Sequence, residues 1–509
     1  MANICILISI IVYLTFMVCV GVWYTKRNTS TDDFYLGGRK LGPYVTAMSA
    51  EASDMSSWLL MGLPGLAFFN GLADPFWTAV GLAVGTYFNW LLVAKPLRYY
   101  SAEIRAITVP EFFSKRFGDK RRLLQGLAAI VIIVFFVPYT ASGFAACGKL
   151  FSSLFGWGYT ACMAISAVII VGYTVLGGFM AASVTDLIQS IIMTIALAAV
   201  LIFGIFSAGG MGAVLDNAGQ VAGYLKVNAM GNILTGESTP YGLLTIISTM
   251  AWGLGYFGMP HILLRFMAIE DADKLKTSRR VGTVWVVISM VIAILIGIVG
   301  YGMVQAGAME GFESASAAEA IIVSMAKLIS QNGVLAALLA GLILAGILAS
   351  TMSTADSQLL AASSSMSHDL LCGLLGKDLS EKKKMLAARV TLAIIAVFGV
   401  LLARDPNSSV FTIVSFAWAG FGASFGPAML CALFWKRANW QGVLAGMLSG
   451  GVMVFVWKFL LKPMGGIWGI YELLPAFLVG LAVIIVVSLA TKAPEQDITR
   501  TFDAVKAKK

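Results

Sequence analysis

The sequence predicts an all-α integral membrane protein with about 13 transmembrane helices. Of its 509 residues, 59% are hydrophobic and only 12% are charged, and the mean hydropathy is +0.86. Soluble domains carry roughly a quarter charged residues. Residues 4–24, 187–206 and 285–304 are apolar stretches with almost no charge, and each has the length of about 20 residues that a helix needs to cross a bilayer. A water-soluble core could not hold so many stretches of this kind.

The predicted spans form one transmembrane domain, residues 1–509. They run near residues 3–24, 43–70, 75–94, 123–154, 159–177, 185–207, 241–268, 281–305, 334–364, 387–403, 410–434, 440–461 and 471–490. The first span lacks the basic start and the small-residue cleavage pattern of a signal peptide, so we expect it to be retained. We predict short surface helices around residues 214–225 and 315–330, in two of the connections.

The distribution of basic residues predicts the orientation in the membrane. Only six of the 35 Lys and Arg residues lie in one alternating set of connections: Lys149, Lys226, Lys327, Arg404, Lys458 and Lys462. The other set contains the remainder, including Lys26, Arg27, residues 95–122, 265–280 and 377–389, and the C-terminal tail. The positive-inside rule places the basic set in the cytoplasm, with the N-terminus outside and the C-terminus inside. The net charge of +9 is therefore a topology signal, and we expect no nucleic-acid partner.

Two predicted spans are interrupted in the same way. Residues 43–58 carry two carboxylates and five Ser or Thr hydroxyls, and residues 252–260 contain three glycines and a proline. If the first span is set aside, these interruptions open two consecutive groups of five helices, 43–207 and 241–434. Residues 440–490 then form two peripheral helices, and 491–509 form a cytoplasmic tail. Broken helices at matching places in two halves indicate an inverted-repeat transporter with its site near the middle of the bilayer.

Four carboxylates within the predicted spans are candidates for a functional role. Asp54 and Glu51 are one turn apart in the interrupted second span, Asp186 opens the sixth span, and Asp356 lies in the ninth. Because ionisable groups are costly in the membrane, they mark functional positions. For Asp186 the alternative is an N-terminal helix cap.

The ninth span offers oxygen ligands for a hard cation. Ser353 and Thr354 are consecutive hydroxyl residues, and the carbonyl of Ser350 lies one turn earlier. Carbonyl groups of Ala52 and Met55 in the broken second span could complete a cage of five oxygens for Na⁺. The alternative is that these hydroxyls only bond back to the preceding helical turn.

Several separate blocks of sequence resemble the solute:sodium symporter family. They are Ser53-Asp-Met-Ser, Trp58-Leu-Leu-Met-Gly-Leu-Pro-Gly, Trp252-Gly-Leu-Gly-Tyr-Phe-Gly, Pro260-His-Ile-Leu, Met352-Ser-Thr, Ala417-Trp-Ala-Gly-Phe-Gly-Ala and Leu36-Gly-Gly-Arg. The resemblance implies a core of the bacterial leucine-transporter type, with two inverted five-helix repeats. It also implies import of L-proline coupled to Na⁺, by alternating access, in a bacterial cytoplasmic membrane. We expect a functional monomer in contact with membrane lipid, without enzymatic activity or an organic cofactor.

The resemblance also assigns roles to individual residues. It implies a sodium site formed by Ala52, Met55, Ser350, Ser353 and Thr354. It links Asp54 and Asp186 to cation coupling, and Arg39 to coupling at the cytoplasmic side. It implies a proline pocket lined by Tyr139, Trp252, Tyr256 and Pro260, with Ser56, Ser57 and Trp58 as its broken-helix wall. Trp252, Tyr256 and Pro260 would form one stripe if the segment were helical; the alternative is simple helix packing.

The chain departs from the family pattern at three of these positions. Glu51 and Ser57 stand where the pattern has glycine, and Ser350 stands where it has alanine. Glu51 and Asp54 could together hold a second cation or share a proton, or Glu51 could form an ion pair with Arg39. The alternative functions are a sodium or proton symporter for a different amino acid, a short carboxylate or a sugar, and a channel.

Overall fold

The computed structural model describes residues 1–25 and 31–508, and the bundle is almost entirely helical. Lys26, Arg27 and Lys509, counted above in the basic set, lie outside the described residues. We number the spans in chain order. Spans 1 to 6 are Ala2–Thr25 (span 1), Pro43–Asp54 with Trp58–Gly62 and Leu63–Asn70 (span 2), Ala73–Phe88 with Asn89–Ala94 and Lys95–Glu103 (span 3), Leu123–Phe155 (span 4), and Tyr159–Ser207 (spans 5 and 6).

The second half of the chain continues the bundle. Spans 7 to 13 are Leu243–Met250 with Ala251–Gly258 and Pro260–Ala268 (span 7), Leu275–Gln305 (span 8), Val334–Ser364 with Ser365–Leu374 (span 9), Glu381–Leu402 (span 10), Val410–Phe434 (span 11), Trp440–Val456 (span 12), and Leu473–Ala490 (span 13). Within the described residues, ten helices are long and apolar enough to cross a membrane, or eleven with the bent pair of span 7. Spans 2 and 5 supply the shorter apolar helices Trp58–Asn70 and Tyr159–Gly172.

The connections hold short elements. Those before span 7 are helices Thr31–Leu36, Gly37–Arg39, Val109–Phe117 and Met211–Gly219, and an antiparallel pair of strands, Ala229–Gly231 and Ser238–Pro240. Those after span 7 are helices Ala272–Lys274, Ala315–Ala318, Ile321–Ile329, Trp457–Leu461, Lys462–Met464, Gly466–Gly469 and Gln496–Lys506. The predicted surface helix at 214–225 is therefore displaced to Met211–Gly219, and the one at 315–330 is two short helices.

Spans 5 and 6 differ from the prediction because no loop separates them. A kink at Gly178 joins them, with φ 68° and ψ −179°, a conformation that only glycine adopts readily. Asp186 therefore lies two turns inside a helix rather than at a helix start. The interpretation of Asp186 as an N-terminal cap is wrong.

The interior of the bundle is formed by spans 4, 9 and 11. In the most apolar 18-residue stretch of span 11, 89% of the residues are buried, and in that of span 9, 67% are. The corresponding share is 33% for spans 1, 12 and 13 and 28% for span 10. The less buried helices carry rows of exposed Ile, Leu, Val and Phe side chains, which suit contact with lipid. Span 9 contacts the broken span 2 through Ser353, and span 11 contacts the broken span 7 through Trp418.

Glycines bring span 3 against the break of span 7. A Cβ atom on Gly85 would lie 2.3 Å from the Cα atom of Gly253, and one on Gly253 would lie 2.2 Å from the carbonyl oxygen of Gly81. Any side chain at these positions would push the two backbones apart, so the close approach requires glycine. This contact holds the non-α segment Ala251–Gly258 in place.

Candidate functional site

The α-helix of span 2 ends at Asp54, in the middle of the span. Met55 leaves the helical conformation, with φ −75° and ψ 67°. The carbonyl of Asp54 then accepts hydrogen bonds from the Ser56 amide (2.8 Å), the Trp58 indole (3.0 Å) and the Tyr139 hydroxyl (3.3 Å). These bonds satisfy a carbonyl that the interrupted helix leaves free, as a buried polar group requires.

The break of span 2 is bonded directly to span 9. The Ser353 hydroxyl lies 2.8 Å from the carbonyl oxygen of Ala52 and 3.2 Å from that of Ser350. The Thr354 hydroxyl donates to the Ser350 carbonyl at 3.1 Å. Thr354 thus bonds back to the preceding turn, as the alternative interpretation stated, whereas Ser353 also reaches across to span 2. Four of the five oxygens expected to bind sodium therefore share one buried cluster, and the fifth, the Met55 carbonyl, makes no hydrogen bond to it among the described residues.

The chemistry of this cluster fits an alkali cation. Every donor in it is a hydroxyl or a carbonyl oxygen, the ligand types that hard cations prefer. Ala52, Ser350, Ser353 and Thr354 are all at most 3% exposed, so a bound ion would exchange its water for these oxygens. The Ser350 hydroxyl points elsewhere and donates to the Ile347 carbonyl at 2.8 Å, so only its carbonyl belongs to the cluster.

An aromatic cluster lies between spans 2, 7 and 11. The Trp252 ring centroid is 6.1 Å from that of Trp58 and 6.1 Å from that of Trp418, and the Tyr256 and Trp418 rings are edge to face at 5.1 Å. The Trp418 indole donates to the Trp252 carbonyl at 2.7 Å. Trp418 was not among the predicted pocket residues. It occupies the space left by Gly255, where a Cβ atom would lie 1.9 Å from the Trp418 indole nitrogen.

The predicted stripe of Trp252, Tyr256 and Pro260 is not formed as one helical face. Residues Ala251–Gly258 are a 3₁₀ helix, Met259 is extended, and Pro260 begins the following α-helix. Trp252 and Tyr256 nevertheless converge, because both pack against the same tryptophan of span 11. Pro260 is buried as the first residue of the following helix, where its missing N–H costs nothing.

Asp54 links the two clusters. Its Oδ2 atom accepts a hydrogen bond from the Tyr256 hydroxyl at 2.5 Å, and the side chain is fully buried. Its backbone carbonyl carries the bonds from Trp58 and Tyr139 described above. Asp54 therefore ties the non-helical segments of spans 2 and 7 together, one residue from Met55, a predicted sodium ligand.

Arg265 is a functional candidate that sequence reasoning missed. It was counted among the basic cytoplasmic residues, but it is fully buried in span 7. Its guanidinium donates to Asp186 (3.3 Å), the Ser49 hydroxyl (2.9 Å), the Ser357 hydroxyl (2.5 Å) and the His261 carbonyl (2.9 Å). One side chain thus connects spans 2, 6, 7 and 9. Pro260 was the signal in the sequence. A helix that begins at Pro260 includes residue 265 in its second turn, so Arg265 belongs to the span and not to the basic connection after it.

The remaining predicted carboxylates lie near this network. Asp186 accepts a second bond, from the Ser49 hydroxyl at 2.6 Å. Asp356 of span 9 accepts one from the Thr174 hydroxyl of span 5 at 2.6 Å. Neither is placed in the oxygen cluster of Ser353 and Thr354, although Asp356 is two residues from Thr354 and on the same helix.

Glu51 faces span 3. Its Oε1 atom accepts hydrogen bonds from the Thr86 hydroxyl at 2.8 Å and the Trp90 indole at 2.6 Å. Arg39 instead donates to the carbonyls of Met267 (2.6 Å) and Ala106 (2.7 Å). Among the described residues the predicted ion pair between Glu51 and Arg39 is therefore not formed. The hypothesis that Glu51 and Asp54 share a proton or hold a second cation stays a prediction.

We expect the contacts of Glu51 to anchor the broken helix. Glu51→Leu leaves the Thr86 and Trp90 donors buried without an acceptor, which costs about 1–3 kcal/mol for each unsatisfied group. Glu51→Gln keeps an acceptor oxygen there. Thermal unfolding in detergent should therefore show a clear loss of stability for Glu51→Leu and a small one for Glu51→Gln. Equal stability of the two variants would contradict this role.

The wall residues Ser56 and Ser57 lie at the start of the second half of span 2. The Trp58 amide lies 3.4 Å from the Ser56 hydroxyl. The Ser57 hydroxyl is buried and has no hydrogen-bond partner among the described residues. Arg39 also bonds to Ser101 and so joins the segment before span 2 to spans 3 and 7.

In this helical membrane bundle, two broken spans meet around an oxygen cluster and an aromatic cluster. This arrangement defines a secondary transporter of the leucine-transporter fold. The chain is similar to the structure of a Na⁺-coupled sialic acid symporter, with a TM-score of 0.79 at 18% identity, covering 97% of this chain and 99% of that one. The model of the Sodium:solute symporter family matches residues 34–450. The chain belongs to the sodium:solute symporter family.

Two curated relatives match nearly the whole chain. A sodium/proline symporter of Haemophilus influenzae is 41% identical over 98% of this chain and 97% of its own length. An osmoregulated proline transporter of Bacillus subtilis is 39% identical, with the same two coverages. The predicted family and fold class are thereby confirmed.

Proposed function

We propose that this protein is a sodium-coupled symporter that imports L-proline by alternating access. The observation that carries the proposal is the contact between the Ser353 hydroxyl and the Ala52 carbonyl, which joins span 9 to the break of span 2. The relatives named for proline transport and the aromatic cluster of Trp58, Trp252 and Tyr256 support the choice of solute. We place the protein in a bacterial cytoplasmic membrane as a functional monomer, with the N-terminus outside and without an organic cofactor.

Sodium binding and solute binding would be coupled through the broken helix. A Na⁺ ion held by the oxygens of spans 2 and 9 fixes the segment from Ala52 to Met55. The fixed segment positions Trp58, and through Asp54 it positions Tyr256 of span 7. The two aromatic walls then suit a rigid pyrrolidine ring, and the N-terminal end of the second half-helix suits its carboxylate. Rocking of the bundle would expose this site to each side in turn.

The membrane potential supplies part of the driving force. Moving one positive charge across 100 mV is worth about 2.3 kcal/mol, which corresponds to about fifty-fold accumulation of an uncharged solute. Proline is a net-neutral zwitterion, so the charge carried is that of the cation. Transport should therefore be electrogenic.

Uptake of radiolabelled proline into proteoliposomes tests the proposed function. We expect accumulation above equilibrium when an inward sodium gradient is imposed, and none when sodium is replaced by choline. Counterflow with sodium, lithium or protons as the only available cation identifies the coupling ion. Uptake that ignores the sodium gradient would contradict sodium coupling, and rapid flux without accumulation would indicate a channel.

The buried hydroxyl of Ser57 supports a second candidate function, which is a sodium symporter that accepts a broader range of solutes than proline. This hydroxyl lacks a partner among the described residues and is therefore available to a ligand, where the family pattern has glycine. We compare how strongly hydroxyl-bearing and unsubstituted amino acids inhibit proline uptake. We expect Ser57→Gly to change the ratio of these two inhibition constants by about fivefold, because one modest hydrogen bond is worth about that factor in affinity. Competition assays measure this ratio. An unchanged inhibition profile would remove Ser57 from the pocket.

A further inference from the structure

The helix Gln496–Lys506, which follows span 13, packs against the bundle with one apolar face. Ile498, Phe502 and Val505 are spaced at i, i+4 and i+7, which places them on one side of an α-helix. Phe502 and Val505 are at most 5% exposed, and a Cβ atom on Gly118 would lie 3.0 Å from the Cδ1 atom of Ile498. Because so short a helix is marginal in water by itself, its docking stabilises its fold.

Phe502 covers an arginine that joins the two repeats. Arg116, in the connection between spans 3 and 4, is 1% exposed, and its Nε atom donates to the Ala432 carbonyl of span 11 at 2.7 Å. The guanidinium carbon lies 4.8 Å from the centre of the Phe502 ring and 5.3 Å from that of Tyr100, and such aromatic faces stabilise a cation. Its Nη1 and Nη2 atoms have no hydrogen-bond partner among the described residues. Undocking of the helix would therefore let water reach and satisfy these two atoms.

Three ion pairs fasten the same helix to the connections around it. Two of the pairs reach the first repeat, and one reaches the connection that follows span 11. All six side chains are 41–77% exposed, so dissolved salt screens the pairs and each contributes little by itself. The pairs join Lys120 to Glu495 (2.7 Å), Lys508 to Glu103 (2.7 Å) and Lys436 to Asp503 (2.5 Å).

The position of the helix links it to the movement of the bundle. The C-terminal tail and the connection between spans 3 and 4 belong to the basic set that the positive-inside rule places in the cytoplasm. In inverted-repeat transporters, one group of helices rocks against the other. A helix fastened to both repeats at the cytoplasmic end resists their separation there, and it shields the bond between Arg116 and Ala432 that also joins them.

We propose that the helix Gln496–Lys506 is a latch that keeps the cytoplasmic side of the transporter closed and is released when the ionic strength of the cytoplasm rises. Salt weakens the three exposed ion pairs, the apolar face alone docks less firmly, and the bundle then opens inward more readily. The inference rests on the proposed function and on the predicted orientation. It adds control of the transport rate by cytoplasmic salt.

Proline uptake at two internal salt concentrations tests the latch. Right-side-out membrane vesicles keep the cytoplasmic face inside, and their lumen is loaded with about 0.01 M or about 0.3 M choline chloride. Sucrose keeps the osmolarity equal, and the same inward sodium gradient is imposed in both cases. We expect the initial rate of the wild type to rise about threefold at high salt, because weakening exposed ion pairs changes the docking equilibrium by about that factor.

Charge variants separate the latch from a general effect of salt. Asp503→Lys places two positive charges opposite each other, so its rate at low salt should be about threefold above wild type, with no further rise at high salt. Lys436→Asp combined with Asp503→Lys restores an opposite pair and should restore the salt dependence. Arg500→Gln is the matched control, because Arg500 pairs with Asp497 of the same helix, and it should behave like the wild type.

Hydrogen exchange of the purified protein gives a readout that does not need transport. We expect the amides of residues 496–506 to exchange faster at high salt in the wild type, and at both salt concentrations in Asp503→Lys. Wild-type uptake or exchange that does not respond to salt would overturn the latch. A lower uptake rate in Asp503→Lys, or a loss of the salt response in Arg500→Gln, would also overturn it. Salt-dependent exchange without any sodium-driven uptake would instead overturn the proposed function.

Discussion

Replacing Ser353 or Thr354 by alanine should weaken the apparent sodium affinity of proline uptake by about ten- to a hundredfold, because each variant removes one of five oxygens from a buried ion. At low sodium concentration transport should nearly vanish, and a large excess of sodium should partly restore it. The measurement is the initial rate of uptake into proteoliposomes as a function of sodium concentration.

Ser350→Ala is the matched control on the same helix. The Ser350 hydroxyl bonds to the Ile347 carbonyl, so the variant removes a hydroxyl but keeps the carbonyl that belongs to the oxygen cluster. Its sodium dependence should stay within about twofold of wild type, because only a local back-bond is lost. A large effect of Ser350→Ala, or no effect of Ser353→Ala, would contradict the assignment of the ligands.

Arg265→Met should cause the largest loss of stability. It leaves the buried carboxylate of Asp186 without its positive partner, and breaking a buried ion pair from one side costs about 3–5 kcal/mol. Ser49 and Ser357 would lose a bond to the same guanidinium. We expect a much lower unfolding temperature in detergent, with poor expression in membranes.

Two further variants separate charge pairing from general damage. Adding Asp186→Asn to Arg265→Met removes the unpaired charge and should recover part of the lost stability. Arg280→Met removes an exposed arginine from the region that follows span 7 and should be close to neutral. If the double variant is less stable than Arg265→Met alone, the ion pair is not the reason for the burial of Arg265.

The sequence could predict the features that depend on local chemistry. The polar run around Asp54 cannot form an ordinary lipid-facing helix, and the glycine-rich segment before Pro260 cannot form a stable α-helix. Both breaks could therefore be predicted from the sequence. Ser353 and Thr354 were identifiable because consecutive hydroxyls in a buried span need partners. The break of span 2 and the hydroxyls of span 9 do meet in the structure.

What could not be predicted depends on contacts between distant parts of the chain. Arg265 is spaced like a residue of a basic loop, and only the position of Asp186, 79 residues away in sequence, makes its burial tolerable. Trp418 enters the aromatic cluster because Gly255 leaves room for it, which no local pattern reveals. The continuous passage from span 5 into span 6 depends on the backbone at Gly178, and its φ angle cannot be inferred from the residue type alone.

The energetic coupling between sodium and proline tests the central claim most directly. If sodium fixes the broken helix of span 2 and thereby completes the pocket, then each ligand must raise the affinity for the other by the same factor. Equilibrium binding of labelled proline and labelled sodium to the purified protein, each with and without the other ligand, should show equal increases of at least about tenfold. In Ser353→Ala the increase should nearly disappear. Proline binding that is equally tight with and without sodium would contradict the proposed coupling through Ala52, Asp54 and Ser353.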